Sequence, residues 1–377
     1  MSEKKKSQKK IRWGSFLYIL VCVLIGWAIG FILGEAKVDF DFIHGLMMFV
    51  SLFVAAYLHI ILHEGGHMIC GLLTGYRFLS FRVASFMWEK KKDGKVRLSR
   101  FSLAGTGGQC LMQPPEYNNG NYHYVLYNLG GGLANFLVAA ACGLLLIVIK
   151  NEFAFIFLVM MVFTGIALGA INLIPFNSKT VNNDGSNIVA IRKSAAAKKA
   201  FWLQMQINYN IAMGQRLKDM PDEWFQPFEE EERNNVMVTT IDVLSCNRLM
   251  DQMALQAAED KMLKLVDDPS VAGIYRKLLL FEIAFCELMR GKTDGYVSRM
   301  GEKENEAFAK AMKNFPSILR TQYAKAMLAD HDTQSAEKML TAFEKMAKNY
   351  PHPSELEGEW ELIHLVQETA KLTPAYT

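Results

Sequence analysis

Four stretches without Asp, Glu, Lys or Arg, all in the first half of the chain, constrain the fold more than any other feature. They cover residues 13–34, 42–63, 124–149 and 153–177. A helix rises about 1.5 Å per residue, so each stretch is long enough to cross the roughly 30 Å hydrocarbon layer of a bilayer. Lys and Glu concentrate instead after residue 185. The sequence therefore predicts a mostly α-helical, polytopic membrane protein with four spans, followed by a cytoplasmic α-helical domain.

Basic side chains predict the orientation of these spans, because loops rich in Lys and Arg stay in the cytoplasm. Six of them precede the first stretch (Lys4, Lys5, Lys6, Lys9, Lys10 and Arg12). Eight more separate the second stretch from the third (Arg77, Arg82, Lys90, Lys91, Lys92, Lys95, Arg97 and Arg100). We therefore expect a multi-pass protein of the cell membrane with both termini in the cytoplasm. The net charge of +3 is too small to favour a nucleic-acid partner.

Residues 63–67 read His-Glu-Gly-Gly-His and carry the strongest chemical signal. On a helix, residues four apart lie one turn apart on the same face, so His63 and His67 can bind one metal ion. Zinc accepts such nitrogens, and Glu64 beside the first ligand can act as the base on a zinc-bound water. Ionisable groups at the end of a membrane span are usually functional. The alternative is a pair of interfacial histidines that happen to flank a Glu.

A third ligand is expected from the end of the fourth stretch. Pro175 breaks the helix there, and a short polar segment leads to Asp184 and Gly185. Asp184 then completes the zinc site, with Gly185 allowing a tight turn; the alternative is an Asp that caps an ordinary loop. His59 lies one turn before His63 on the same face of the helix. It could support a metal ligand, serve as a polar side chain of the cavity, or be the third ligand itself.

These motifs resemble those of the site-2 protease-like intramembrane zinc metalloproteases, of the bacterial, sporulation-factor-processing type. The resemblance covers residues 42–188. HEGGH is similar to the family's HExxH, Gly131-Gly132-Leu133-Ala134-Asn135 to its glycine-x-x-x-asparagine signature, and Pro175 with Asp184-Gly185 to its proline-to-DG motif. Here Asp184 comes nine residues after the proline, whereas the family commonly has about five; extra loop residues cost little closure entropy.

The resemblance implies a function for each matching residue. His63, His67 and Asp184 look like the ligands of one Zn²⁺ per chain, and Glu64 looks like the catalytic base. Asn135 looks like a residue that contacts the substrate backbone or helps the developing oxyanion. The family also places a membrane-associated β-hairpin between the second and third spans.

The residues between these spans fit such a hairpin. Segments 78–88 and 96–103 are rich in aromatic and branched side chains, and they meet at Asp93-Gly94, a strong turn signal. A hairpin edge can hold an extended substrate by strand addition. An ordinary cytoplasmic loop with incidental strands is the alternative.

An internal repeat marks the second half of the chain, which we assign as a separate domain at 186–377 after a membrane domain at 1–185. Residues 307–316 and 342–351 are identical at six of ten positions, at an offset of 35. Periods near 34 with paired helices are typical of tetratricopeptide-like hairpins, which bind proteins or peptides.

The sequence thus predicts a zinc-dependent intramembrane endopeptidase that hydrolyses a membrane-embedded or membrane-adjacent protein or peptide. Its helical domain is expected to recruit substrate or to bind a regulator. The alternatives are a non-catalytic membrane scaffold that acts through the helical domain, and an accessory of peptide export or immunity.

Overall fold

The computed structural model describes residues 26–38, 41–101, 106–176 and 182–372, and these are mostly helical with one small sheet. A helix described over 26–35 (α1) precedes α2. The long apolar helices are Phe42–Leu73 (α2), Tyr124–Leu145 (α3) and Glu152–Leu173 (α4). The helices that follow are Asp184–Arg192 (α5), Ala195–Ala212 (α6), Val236–Asp251 (α7), Leu255–Leu265 (α8), Gly273–Met289 (α9), Tyr296–Arg299 (α10), Lys303–Ala311 (α11), Pro316–Leu328 (α12), Thr333–Ala347 (α13) and Pro353–Leu372 (α14).

Within the described residues, α2, α3 and α4 are long and apolar enough to cross a membrane. Their outward side chains support this, since Phe42 is 84% exposed and Leu137 is 71% exposed. Surfaces of this kind are stable in lipid and unfavourable in water. The predicted first span at 13–34 lies largely outside the described residues, and its described part, 26–34, is helical.

Helix α2 continues for ten residues beyond the predicted membrane span, which ended at 63. The prediction ended the span where His63 and Glu64 interrupt the apolar run. The helix nevertheless continues through Gly65 and Gly66 to Leu73. The HEGGH residues therefore lie inside a continuous helix, where each backbone group is hydrogen-bonded within the helix.

The described residues divide into two compact units. One comprises the residues up to Gly66 together with Gly131–Asn172, and its apolar core takes side chains from α1 to α4 (Leu33, Ala55, Cys142, Ile156, Val159 and Met160). The other comprises His67–Gly130 and the chain from Leu173 onward. This second unit contains the sheet and helices α5 to α14.

The sheet has four antiparallel strands in the order β3-β2-β1-β4. Their bounds are Arg77–Val83 (β1), Phe86–Lys90 (β2), Val96–Arg100 (β3) and Gly108–Gln113 (β4). The predicted turn at Asp93-Gly94 is confirmed as the connection between β2 and β3, with Gly94 at a φ of 78°.

The sheet differs from the predicted hairpin in two ways. The single strand expected at 78–88 is two strands, β1 and β2, joined by a tight turn in which Ala84 has a φ of 51°. No glycine, asparagine or aspartate marks that turn, so it left no sequence signal. Strand β4 was missed, because its sequence GQCLMQ has few β-branched or aromatic residues and its pairing with β1 is a long-range contact.

The repeated sequence motif coincides with two successive helix pairs. Residues 307–316 end α11 and begin α12, and residues 342–351 end α13 and lead into α14. Helix α12 packs against α9, α13 and α14 around a core that includes Phe281, Phe285 and Phe343. The helical pairing agrees with the repeat, while the assignment as a tetratricopeptide array stays a prediction.

The segment between α13 and α14 contacts the sheet within the second unit. His352 Nδ1 lies 3.4 Å from Glu89 Oε1, and the Tyr350 ring meets the Phe101 ring edge-on at 5.8 Å. Lys91 pairs with Glu89 and donates to the Pro351 carbonyl at 3.2 Å. Burial raises the pKa of the Glu89 carboxyl and lowers the pKa of His352 to about 4. The last helix pair is thus joined to β2 through buried polar groups.

The raised pKa of Glu355 predicts that the free energy of unfolding depends on pH. Burial raises the pKa of its carboxyl from 4.5 to about 7, and nearby Glu359 and Asp251 act in the same direction. The folded chain therefore binds this proton more tightly than the unfolded chain, so stability falls as the pH rises from about 4.5 to 7. We expect Glu355→Gln to match the wild-type melting temperature near pH 4.5 and to exceed it above pH 7. The difference in free energy of unfolding should reach at most about 3 kcal/mol.

The measurement is thermal unfolding of the detergent-solubilised protein, followed by tryptophan fluorescence across this pH range. Glu368→Gln, at an exposed position of the same helix, is the matched control and should follow the wild-type profile. A difference between Glu355→Gln and wild type that stays constant with pH would contradict the prediction.

Candidate metal centre

His67 is held in one orientation by α3. Its Nδ1–H donates to the Tyr127 carbonyl at 2.7 Å, so the lone pair is on Nε2. The Tyr127 hydroxyl donates in turn to the Cys110 carbonyl at 2.9 Å, and its ring stacks on Tyr76 at 4.8 Å. Histidines that bind a metal commonly donate their second ring N–H to a carbonyl in this way. His67 Nε2 is therefore presented as a ligand atom.

Asp184 faces that nitrogen, with its Oδ2 at 3.3 Å from His67 Nε2. It is the first residue of α5, whose N-cap, Asn183, accepts from the Ser186 N–H at 2.8 Å. Asp184 is therefore not the residue that caps α5, because the capping side chain belongs to Asn183. Asp184 directs its carboxylate to the imidazole of α2.

Two polar side chains hold the beginning of α5 against the end of α4. Asn183 Nδ2 donates to the Ile174 carbonyl at 2.7 Å. Ser186 Oγ accepts from the Phe176 N–H at 3.1 Å and donates to the Phe176 carbonyl at 3.0 Å. These bonds join the two ends of the connection between Pro175 and Asp184. The position of Asp184 therefore does not depend on the length of that connection.

Gly185 is required for a reason that differs from the predicted tight turn. It lies in the first turn of α5, and a Cβ at this position would overlap the Leu173 carbonyl and approach the Pro175 nitrogen at 3.2 Å. Backbone atoms cannot rotate away as a flexible side chain would. Only glycine therefore allows α5 to begin directly against the end of α4.

His63, one turn before His67 on α2, is linked to a buried polar pair. The Asn135 amide lies 3.3 Å from His63 Nδ1 and 3.1 Å from His59 Nδ1. The other nitrogen of His59, Nε2, donates to the Met161 carbonyl at 2.9 Å. His59 and Asn135 are both 0% exposed. His59 thus bonds to Asn135 and Met161 through its two ring nitrogens, which leaves it no nitrogen for a metal ion in this arrangement.

His63, Asn135, His59 and the Met161 carbonyl form a hydrogen-bonded chain. The position of each proton in it follows from the Met161 carbonyl, which can only accept. Because His59 Nε2–H donates to a carbonyl, neutral His59 accepts at Nδ1, and the Asn135 NH₂ group must face it. The structure has the opposite amide orientation, with Asn135 Oδ1 toward His59 Nδ1 and Asn135 Nδ2 toward His63 Nδ1. A 180° rotation of the amide group exchanges the two atoms, and its oxygen then accepts from His63 Nδ1–H. In the rotated orientation the lone pair of His63 is on Nε2, and both histidines of α2 then present the same nitrogen as a ligand atom.

Gly165 makes room for this chain on the side of α4. A Cβ there would lie 2.5 Å from His59 Cε1 and 2.9 Å from the Asn135 carbonyl. Three residues of the site, Gly165, Tyr127 and Met161, were not predicted from the sequence. The last two act through backbone carbonyls, which leave no sequence signal, whereas a glycine in an apolar helix could have indicated close packing.

Three of the predicted site residues form a group that can hold a metal ion. One ligand atom each from His63, His67 and Asp184 lie within 4.8 Å of one another, and no other such group of His, Cys, Asp or Glu occurs in the part of the chain that the structure describes. Two imidazoles and one carboxylate, with a further position left for water or substrate, form a donor set that suits catalytic zinc. Glu64 is 9% exposed and lies between the two histidines on α2.

No protein-family model, curated protein or solved structure matches this chain. The fit of the site to a metal ion therefore depends on its own geometry: the orientation of both imidazoles by acceptors, the placement of Asp184 and the absence of a side chain at Gly185.

Replacing Gly185 tests the placement of Asp184. The Cβ of Gly185→Ala must displace the beginning of α5 and its Asp184, so we expect at least a tenfold loss of zinc affinity. Gly65→Ala is the matched control, because a Cβ at Gly65 meets no described atom within 4 Å. The measurement is zinc per purified chain at buffered free zinc. Wild-type affinity in Gly185→Ala would contradict the prediction.

Replacing His59 tests the buried chain behind His63. His59→Leu removes the hydrogen-bond partner of Asn135 on the side away from His63, so the amide is no longer held in one orientation. Loss of such an outer partner typically weakens metal binding about 10- to 100-fold, and we expect a change of this size in a zinc competition titration.

The control is His44→Leu, since His44 is also a buried histidine of α2 and bonds to Asp41 at 2.7 Å. It should lower the melting temperature and leave zinc affinity unchanged. Equal zinc affinity in His59→Leu and His44→Leu would show that the hydrogen bonds of His59 and Asn135 do not support His63 as a zinc ligand.

Proposed function

We propose that this protein is a membrane-bound, zinc-dependent intramembrane endopeptidase. The observation that carries the proposal is the orientation of His67, whose Nδ1–H donates to a carbonyl while its Nε2 lies 3.3 Å from the Asp184 carboxylate. His63 lies one turn earlier on the same helix and Glu64 lies between the two histidines. Asp184 places a carboxylate beside His67, and a third metal ligand requires such a position.

The chemistry divides between the metal ion and the chain. Zinc, when bound, supplies a Lewis acid that makes a coordinated water acidic near neutral pH and polarises a carbonyl. Glu64 accepts the proton of the attacking water and delivers it to the departing amine. His59 and Asn135 hold His63, and Tyr127 holds His67, so that both ligands keep their orientation through the reaction.

Asn135 has two proposed functions. Its bonds to His59 and His63 support its function as a holder of the ligand. Contact with the substrate backbone or with the developing oxyanion stays a prediction, and it requires the amide to release one of the two histidines. A substrate-bound state with this exchange would allow Asn135 to serve both purposes.

Strand β3 is the proposed docking edge for an extended substrate. It forms one edge of the sheet, and Val96 and Leu98 are 53% and 57% exposed. The opposite edge strand, β4, packs against α6. An amide bond must leave a helix before it can be hydrolysed, and pairing with an edge strand provides its backbone groups with new partners. We further propose that the protein spans the cell membrane with both termini in the cytoplasm. A regulator or substrate adaptor would bind the helical domain.

Glu64→Gln tests the chemistry directly. Glutamine keeps the size of the side chain but cannot accept the proton, so we expect peptide cleavage to fall by at least 100-fold while zinc per chain stays at the wild-type value. The measurement compares new peptide amino termini in membranes of cells that produce wild-type or Glu64→Gln protein.

The same experiment separates the alternatives. A scaffold or an export or immunity accessory that works without proteolysis predicts identical sets of amino termini and a normal cellular function in Glu64→Gln. Amino termini that depend on Glu64 support the proposed peptidase. A variant that loses zinc together with activity would instead assign Glu64 to the metal site.

A further inference from the structure

The helical domain contains a cavity that is independent of the metal centre. Its volume is about 180 Å³, and it lies among α7, α9, α12 and α14. This is well above the roughly 10–15 Å³ that one water needs, so it has room for several waters or for one amino-acid residue. Its charged lining consists of Arg216, Asp251, Glu282, Arg320, Glu355 and Glu359.

Both arginines of the lining are already matched by carboxylates. Arg320 Nη2 donates to both oxygens of Glu282 at 2.7 and 2.6 Å, and its Nε donates to Glu359 at 2.7 Å. Arg216 pairs with Asp251 at 2.6 Å and with Glu361 at 2.5 Å. Arg216 Nη1 also lies 3.8 Å from Glu357 Oε2. Arg320 therefore faces two carboxylates and Arg216 faces three, so neither arginine is left to balance the charge of a further acid.

Glu355 is that further acid. Its carboxylate accepts from the Tyr350 hydroxyl at 3.1 Å, and no Lys, Arg or His of the described ranges forms an ion pair with it. Burial raises the pKa of this carboxyl to about 7. Glu355 is half-buried. A carboxylate that is partly withdrawn from water without a cation is costly in its charged form, and a cationic ligand in the cavity would remove this cost.

Arg320 provides a second, independent indication of a ligand. Its side chain is 1% exposed and its guanidinium lies over the Phe285 ring at 4.1 Å. Its Nη1 has no hydrogen-bond partner among the described residues, although the other donors of this group are used. A buried donor without an acceptor is unfavourable. In this lining Glu355 thus lacks a cation, and Arg320 Nη1 lacks an acceptor.

We propose that this cavity binds an α-ammonium group together with the carbonyl or carboxylate oxygen next to it. This is the chemistry of a peptide amino terminus and of a free amino acid. The ammonium pairs with Glu355, and the oxygen accepts from Arg320 Nη1. Tyr275, Leu278, Leu279 and Leu362, which also line the cavity, provide an apolar wall for the first side chain.

Calorimetric titration of the full-length protein in detergent tests the proposal, with Glu64→Gln as the background so that peptides are not hydrolysed. The probes are leucine, Leu-Gly-Gly amide, acetyl-Leu-Gly-Gly amide and n-butylamine. We expect leucine or the free tripeptide to bind. Acetylation should weaken tripeptide binding at least tenfold, and n-butylamine, which has no acceptor, should bind at least tenfold more weakly than the better ligand.

Two further variants localise the binding. Glu355→Gln should weaken the better ligand at least tenfold, whereas Glu368→Gln should leave it unchanged. Tyr350→Phe keeps the ring and removes the competing hydroxyl, so it should bind at least as tightly as the background. Melting temperatures establish that each variant is folded.

The outcomes are distinct. Leucine binding without tripeptide binding identifies a free amino acid as the ligand, and the reverse identifies a peptide amino terminus. The proposal is overturned by equal binding of the acetylated peptide, by unchanged affinity in Glu355→Gln, by weaker binding in Tyr350→Phe, or by no binding of any probe up to 10 mM. None of these outcomes depends on whether the metal centre is catalytic.

Discussion

The contact between the Gly185 backbone and the Leu173 carbonyl is the constraint on which the candidate metal centre depends. It allows α5 to begin directly at the end of α4, with Asn183 and Ser186 bonding to the backbone on the other side of the junction. The carboxylate of Asp184 then reaches the imidazole of His67 without the help of a long, ordered loop. A side chain at position 185 would remove this arrangement, since neither backbone segment can move independently.

Behind His63, the chain formed by His59 and Asn135 follows from the cost of polar groups in an apolar environment. Where no water is present, each donor needs an acceptor, and the chain ends on the Met161 carbonyl so that every member is bonded. The same requirement fixes the tautomer of each histidine. Stability and ligand orientation are therefore the same physical property in this part of the molecule.

The helical domain shows the opposite situation, with polar groups buried but not fully matched. Glu355 and Arg320 Nη1 lie in one cavity, while the charged groups around them are paired. Tyr350 bonds to Glu355 with its hydroxyl and meets Phe101, beside β3, with its ring. The side chain of Tyr350 therefore connects the cavity to the end of β3, the strand proposed to receive substrate. Native proteins seldom leave such groups unmatched without a functional reason.

The sequence alone determined the features that are local. Apolar stretches long enough for a bilayer, two histidines one turn apart, the turn at Asp93-Gly94 and the helix-pair repeat all depend on residues near each other in the chain. Only the tertiary structure decided where α2 ends, that β1 and β2 are separate strands, and that β4 completes the sheet. It also decided that Asp184 faces His67 and that Asn135 joins two histidines. These depend on backbone carbonyls and on space between distant segments, and neither property is encoded at a single position.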